Sequence, residues 1–239
     1  MNPLDYGAAA FLGKQIHTAE TWGANDIKID CDAVIVGAGP GGLTTAAILA
    51  EHGLDVVVLE GGNFWPKGTF KRQQSWALRN LYQDGGTRVM QGGNAFIPVA
   101  SGRGVGGGTL VNSGISFRAP DWVLDEWSRD WGLDYSDRDS LFEEVEAMIG
   151  VEYTKPEVAG ANSAVAMRGF QKMGVKHSFM PRNTPGCVGC GTCQTGCPSG
   201  GKASADLNWL PRALRKGARI HANCRVETIK MNGNRAVGV

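Results

Sequence analysis

Asp32 to Val36 and Val56 to Glu60 are short runs rich in β-branched residues, with no polar alternation. Such runs predict strands buried on both faces, as in a parallel sheet. Between them Gly41 to His52 carries a helical pattern that ends against Gly53 at the C-cap position. Strand, helix and strand make one βαβ unit, whose crossover should be right-handed. Residues 121–130 predict a short helix with Asp121 as its N-cap. Asp137 to Ile149 predicts an amphipathic helix with Leu141, Val145, Met148 and Ile149 on one face. Asn162 to Met173 predicts another, stopped at Gly174. Pro211 and Gly217 bracket a short helix in the favoured order, proline at the start and glycine past the end. "RVETIKM" and "RAVGV" flank "NGN", a hairpin signal. Residues 61–115 are rich in glycine, have neither period, and read as loops that wrap a ligand. Residues 1–30 read as a lead-in arm. The remainder, 31–239, reads as one α/β domain with an inserted cysteine-rich loop at 186–201. A strand that runs to the last residue, Val239, leads us to expect a domain incomplete at its C-terminus.

Composition adds one departure from the ordinary. The chain has 35 glycines in 239 residues, about twice the usual share of roughly 7%. They are clustered, which excludes collagen and points to places where backbone must approach a ligand closely. A net charge of +1 leaves no electrostatic case for nucleic acid or an anionic membrane surface. The start lacks a basic segment followed by an apolar one, so no signal peptide is expected and the cytoplasm is the expected location. Ala33 to Ala50 is free of charge for 18 residues, near the length of a membrane span. "GAGPGG" in its middle makes strand, turn and helix the better reading, and no transmembrane segment is expected.

Gly37, Gly39 and Gly42 form G-x-G-x-x-G between a strand and a helix, and Glu60 ends the next strand. That context is what a dinucleotide fingerprint requires. Gly37 allows a tight turn, Gly39 lets a pyrophosphate approach the backbone, and Gly42 lets helix and strand pack closely. The helix N-terminus, including Gly41, offers amides and a positive dipole end to the phosphates. Glu60 can accept hydrogen bonds from ribose hydroxyls and disfavours a 2′-phosphate. The fingerprint alone does not choose between FAD and NAD.

"SGRGVGGGTLVNSGISFRAP", residues 101–120, crowds five glycines into seven positions, followed by Thr109 and Asn112. Such a loop can lie against a flat ring, and Asn112 could reach a flavin edge. Here the sequence resembles the glucose–methanol–choline (GMC) oxidoreductases. Gly102, Arg103, Val105, Gly106, Gly107, Gly108, Thr109, Val111 and Asn112 fit that family's first signature in order. Ala119 and Asp125 fit its tail, while Ser116 stands where the family has an aromatic residue or alanine. The likeness includes "GAGPGG…LEGG" before it and "GGKASADLNWLPRALRKGARIHANCRVETI" after it, and is closest to the bacterial branch with long-chain alcohol, sterol or sugar substrates. It implies a Rossmann-like FAD-binding fold and hydride transfer from a CH–OH carbon to flavin N5. It implies cofactor contacts at Arg103, Gly107, Gly108, Thr109, Asn112, Ser113 and Ile115, with Val226 on a strand beside the adenine. The family's catalytic His and its His or Asn partner lie further along than this chain reaches. His17, His52, His177 and His221 match neither, so the chain alone is not expected to turn over alcohol.

"CVGCGTCQTGCP" places Cys187, Cys190, Cys193 and Cys197 at C-x2-C-x2-C-x3-C, with proline after the last. That is the ligand run of a [4Fe–4S] cluster. Three of the four holding a [3Fe–4S] core, zinc, and free structural thiols are the alternatives. Tight turns at Gly189, Gly191 and Gly196 would wrap the backbone around a compact core. Cys31 and Cys224 read as buried small hydrophobes. A flavin accepts two electrons and a cluster passes them singly. Together they suggest a dehydrogenase that hands electrons to a protein or quinone acceptor. The rival reading is a non-catalytic flavin and iron–sulfur electron-transfer module.

Overall fold

The computed structural model describes residues 16–18 and 26–239. Its centre is a parallel sheet of four strands: β1 (Ile16–His17), β8 (Arg219–His221), β3 (Val56–Leu59) and β2 (Ala33–Val36), in that spatial order. β2 runs alongside β3 with Ala33 opposite Val56 and Val36 opposite Leu59. β8 continues the register, Val58 opposite Ile220. β1 closes the far edge, Ile16 opposite Ile220, so part of the expected arm belongs to the sheet. The rest of that arm, residues 1–15 and 19–25, lies outside the described residues.

Between β2 and β3 the chain forms helix α1 (Pro40–Glu51). Proline at its first position suits a site where no amide is needed. Leu43, Ala46, Ala47 and Ala50 turn inward. The alanines let helix α6 (Trp209–Arg215) approach closely, and Trp209, Leu210, Ala213 and Leu214 complete the layer over Val56, Val58 and Ile220. Arg212 ties the two helices outside the core: its guanidinium meets Glu51 at 2.7 and 2.8 Å and lies 5.1 Å over the Trp209 ring.

The uncharged stretch from Ala33 to Ala50 is thus strand, turn and helix. Among the described residues no helix is long and apolar enough to cross a membrane. Val56, Val57 and Val58 of β3 are buried and Leu59 is half-buried, whereas no residue of β2 is buried. As the terminal strand of this sheet it is half-exposed, and Val36 is 55% exposed. The expectation of two strands buried on both faces therefore holds for β3 only, because burial depends on rank in the sheet and not on composition.

Residues 61–115 hold more regular structure than the loops expected of them. They include α2 (Gln74–Asn80) and an exposed hairpin, β4 (Val89–Gly92) with β5 (Ala95–Pro98). Ala77, Leu81, Tyr82, Leu110 and Val111 form a second, smaller core there. Beyond it come α3 (Asp121–Trp131), α4 (Arg138–Ile149) and α5 (Pro156–Met173), with β6 (Glu152–Tyr153) pairing β7 (Pro181–Arg182). Asp121 is the first helical residue of α3, and Pro120 takes the N-cap place expected of it. On α4, Met148 packs on the main core while Leu141 is 59% exposed, so the apolar face is only partly covered. α5 starts six residues earlier than expected because Pro156 opens it, and Gly160 breaks its geometry at φ 78°. α6 likewise starts before Pro211, which sits in the first turn, where its missing amide costs little. The final hairpin pairs β9 (Lys230–Asn232) with β10 (Arg235–Gly238).

Gly42 sets the distance between α1 and the sheet. A Cβ there would stand 2.0 Å from the Gly37 carbonyl oxygen and 3.3 Å from Ile35 Cγ2. One position away, Gly41 faces open space. Gly42→Ala should destabilise the fold by at least about 2 kcal/mol through forced overpacking. Gly41→Ala should be neutral or stabilising by about 0.5–1 kcal/mol. Urea denaturation of the two variants checks the contrast, and equal costs would refute it.

Candidate functional site

Two glycine loops meet at the carboxyl edge of the parallel sheet, where open α/β sheets bind ligands. The first, residues 37–39, leaves β2 and enters α1. The second, residues 102–108, packs onto it: a Cβ on Gly107 would lie 2.7 Å from Gly39 Cα. Gly106 N donates to Ala38 O at 2.7 Å. Between the loops sits Glu60, only 9% exposed. Its carboxylate accepts Ala38 N at 2.8 Å on Oε2, and Gly62 N and Gly104 N at 2.7 and 3.3 Å on Oε1. One carboxylate therefore fixes the first loop, the second loop and its own turn. Two oxygens offer about four acceptor positions, so Oε2 keeps capacity for a further donor.

The opposite side of the first loop is open. Side-chain positions on Gly37, Gly39 and Gly41, and on Gly108 of the second loop, would meet nothing within 4 Å. Gly41 and Gly42 lie in the first turn of α1, where amides have no intrahelical partner. They donate to no acceptor among the described residues. A dipole end with unused amides and uncrowded backbone suits a pyrophosphate. These residues fit an FAD dinucleotide.

The other residues expected at the cofactor take several roles. Arg103 is exposed, and its Nη2 donates to Gly61 O at 3.0 Å. Thr109 hydroxyl donates to Gly106 O at 2.6 Å and accepts Ala205 N at 3.0 Å, so it braces the second loop. Asn112 is exposed and its Oδ1 accepts Gly114 N at 3.2 Å. Ser113 and Ile115 line a different space, the cysteine cavity. Val226 is half-buried, but residues 225–229 form no strand. The strand expected over "RVETIKM" begins only at Lys230, because Cys224 N bonds back to Glu60 O at 2.8 Å and draws the chain across the sheet edge. Of the histidines, His221 stacks on His17 at 5.0 Å, and burial followed by the His17 neighbour holds its imidazolium down to about 4. His52 and His177 each make a local contact to a backbone carbonyl through Nδ1.

All four cysteines of the run border one cavity of about 550 Å³. Gly189, Gly191 and Gly196 have φ of 70°, 68° and 86°, the tight turns the spacing suggested. Donors point at the sulfurs: Gly189 N to Cys187 at 3.4 Å, Arg182 Nη2 to Cys193 at 3.2 Å, Lys202 N to Cys197 at 3.3 Å. The Thr192 hydroxyl 3.1 Å from Cys190 holds that thiol below its ordinary pKa. Among the described residues no three His, Cys, Asp or Glu side chains converge to hold a metal ion. Cys31 and Cys224 are half-buried rather than buried as expected; burial raises both thiols, with Asp55 adding to the rise at Cys31.

Sequence reasoning passed over a buried polar strap, residues 202–208, beneath both loops. Lys202 is 1% exposed, and Asp206 is 7% exposed, its Oδ1 without a hydrogen-bond partner. Nothing local in "GGKASADLNW" marks these side chains as buried. Desolvation lowers Lys202 to about 8, against the pull of Cys193 and Cys197. It raises Asp206 to about 6, against Ser204 and Lys202.

The comparisons agree with this architecture. A Rossmann-like site built from two glycine loops defines the class, and the GMC oxidoreductase family matches residues 78–239, with an NAD(P)-binding Rossmann-like domain matching 35–101. The chain belongs to the GMC oxidoreductases, whose FAD-binding part it carries. It is 40% identical over 212 residues to an uncharacterized GMC-type oxidoreductase of Mycobacterium tuberculosis, covering 87% of this chain and 34% of that protein. It is 35% identical over 224 residues to a long-chain-alcohol oxidase of Arabidopsis thaliana, covering 92% and 30%. The chain thus spans about a third of the length of these relatives. Pyridoxine 4-oxidase from Mesorbium loti shares the fold, with a TM-score of 0.62 at 20% identity over 87% of this chain and 45% of that one.

Asp206 gives a test of the strap. Its carboxyl is raised, so the fold favours the protonated form; that contribution is complete below about pH 4 and is lost as pH climbs through 6. Asp206→Asn cannot ionise. Its stability relative to the parent chain should rise by roughly 2–3 kcal/mol between about pH 4 and pH 8, read by urea denaturation across the range. A difference independent of pH would contradict the buried charge.

Proposed function

We propose that this chain is the FAD-binding part of an oxidoreductase that oxidises the CH–OH group of an alcohol. Long-chain alcohols, sterols and sugars are the candidate donors. The observation that carries the reading is the paired glycine loops at the sheet's carboxyl edge, open on the side where a dinucleotide would lie. Bound FAD supplies the acceptor for the two-electron hydride. This chain's residues bind and orient it. The first-turn amides of Gly41 and Gly42 receive the pyrophosphate, and Oε2 of Glu60 receives a ribose hydroxyl. Thr109 keeps the second loop in place, Asn112 offers its exposed amide to the flavin edge, and Val226 stands by the adenine. The likeness to a long-chain-alcohol oxidase supports the alcohol as donor.

One observation favours a second component. Four thiols border a single cavity with N–H donors aimed at three of the sulfurs, an arrangement suited to an iron–sulfur cluster on Cys187, Cys190, Cys193 and Cys197. Such a cluster supplies one-electron steps, and a protein or quinone would then be the final acceptor. A cytoplasmic location goes with this reading.

Flavin extraction with iron and acid-labile sulfide analysis tests both parts. The full chain should bind one FAD. Gly108→Val should weaken FAD binding by at least about tenfold, since uncrowded backbone is what admits the ligand, while the circular dichroism spectrum stays unchanged. A parent chain that takes up no FAD overturns the flavin reading. Iron and sulfide in equal amounts support the cluster; neither in anaerobically purified protein overturns it.

A further inference from the structure

The side chain of Lys202 is the largest of those fully buried, and all three of its ammonium hydrogens are committed to backbone carbonyls. They reach Leu110 O at 3.1 Å and Asn112 O at 2.7 Å, on the segment that continues the second glycine loop, and Cys193 O at 3.0 Å, in the cysteine loop. Arg182 repeats the bridge from the other side. Its Nε donates to Ser113 O at 3.0 Å, and its Nη2 donates to Ser113 O and to Cys193 Sγ. Two cations from different segments thus hold the same two partners, the 110–113 carbonyls and Cys193. Neutral contacts extend the seam: Gln194 Nε2 donates to Ser113 Oγ at 3.4 Å, and Tyr82 hydroxyl donates to Gln194 O at 2.8 Å.

An ammonium nested among three carbonyls in a nearly dry setting is a stiff connection. Charge-assisted hydrogen bonds are roughly twice as strong as neutral ones. Removing the cation would strand the carbonyls without water to replace it. A stiff connection between two ligand-binding segments makes ordering of one depend on ordering of the other, and that dependence is reciprocal.

We propose that Lys202 and Arg182 are positioning residues that lock the Cys193 segment to the 110–113 segment, so that the cysteine cavity and the flavin loop respond to ligands as one cooperative unit. The lock itself is a property of the unliganded chain. Its consequence for the flavin rests on the FAD reading above.

Hydrogen exchange on the full chain, with and without FAD, separates the two. In the absence of FAD, Lys202→Met should speed exchange of the 112–114 and 193–195 amides by about tenfold, within the usual range of coupling, and leave the β3 amides unchanged. Arg182→Lys, a milder change, should speed the same two segments by less. It also serves if Lys202→Met fails to fold. Adding FAD to the parent should slow exchange at 193–195, and this protection should disappear in Lys202→Met. Exchange that rises everywhere equally, or in only one of the two segments, overturns the lock. Protection of 193–195 that survives in Lys202→Met overturns the coupling. A parent chain that binds no FAD overturns the flavin reading instead, and the ligand-free exchange still decides the lock.

Discussion

The Glu60 carboxylate is the constraint on which the site depends. A buried anion is tolerated only where hydrogen bonds replace its water. Here three backbone amides do so, and they come from three places: the turn after β2, the turn after β3, and the second glycine loop. The requirement to satisfy one charge thereby sets the relative position of segments separated by 22 and 44 residues. Everything else at the sheet edge follows. The second loop lies on the first because Gly104 must reach the carboxylate, and Gly107 can approach Gly39 only because Gly107 carries no side chain.

Beneath the loops the protein has chosen polarity where an apolar core would have been simpler. Asn183, Thr184, Lys202, Ser204, Asp206 and Asn208 are all buried. Asn183 and Asn208 both donate to Ala203 O at 2.9 Å. Lys202 takes three carbonyls. The reason is that loops 104–114 and 183–201 contribute few apolar side chains but many backbone groups, and buried backbone groups need partners. A polar strap supplies them. Directed hydrogen bonds also hold irregular backbone in one conformation, which apolar packing does less well.

The cysteine loop illustrates how far a motif carries. Its spacing implied tight glycine turns, and Gly189, Gly191 and Gly196 do take positive φ. It contained no information about Arg182 and Lys202, which come from flanking segments and tie Cys193 to the 110–113 segment. The strand expected around Val226 is missing for a related reason. "RVETI" has the composition of a strand, but the backbone pairing of Cys224 with Glu60 takes the chain elsewhere. Strand propensity describes a residue's fit to a pleated surface, and it yields when the tertiary hydrogen bonds point another way.

What the sequence determined by itself is local. The βαβ unit, the fingerprint turn, the helices from 121 to 173 and the final hairpin each depend on periodicity, caps and turn residues within a dozen positions. The signature at 102–112 carried the family. The tertiary structure alone decided which strand lies at the edge of the sheet, that Glu60 holds two loops together, and that the largest fully buried side chain is a lysine. The Glu60 tie depends on partners 22 and 44 residues away, and the buried lysine on partners 90 and 92 residues away. A side chain's burial and charge are properties of the assembled site, and no window of sequence short enough to read contains both halves of it.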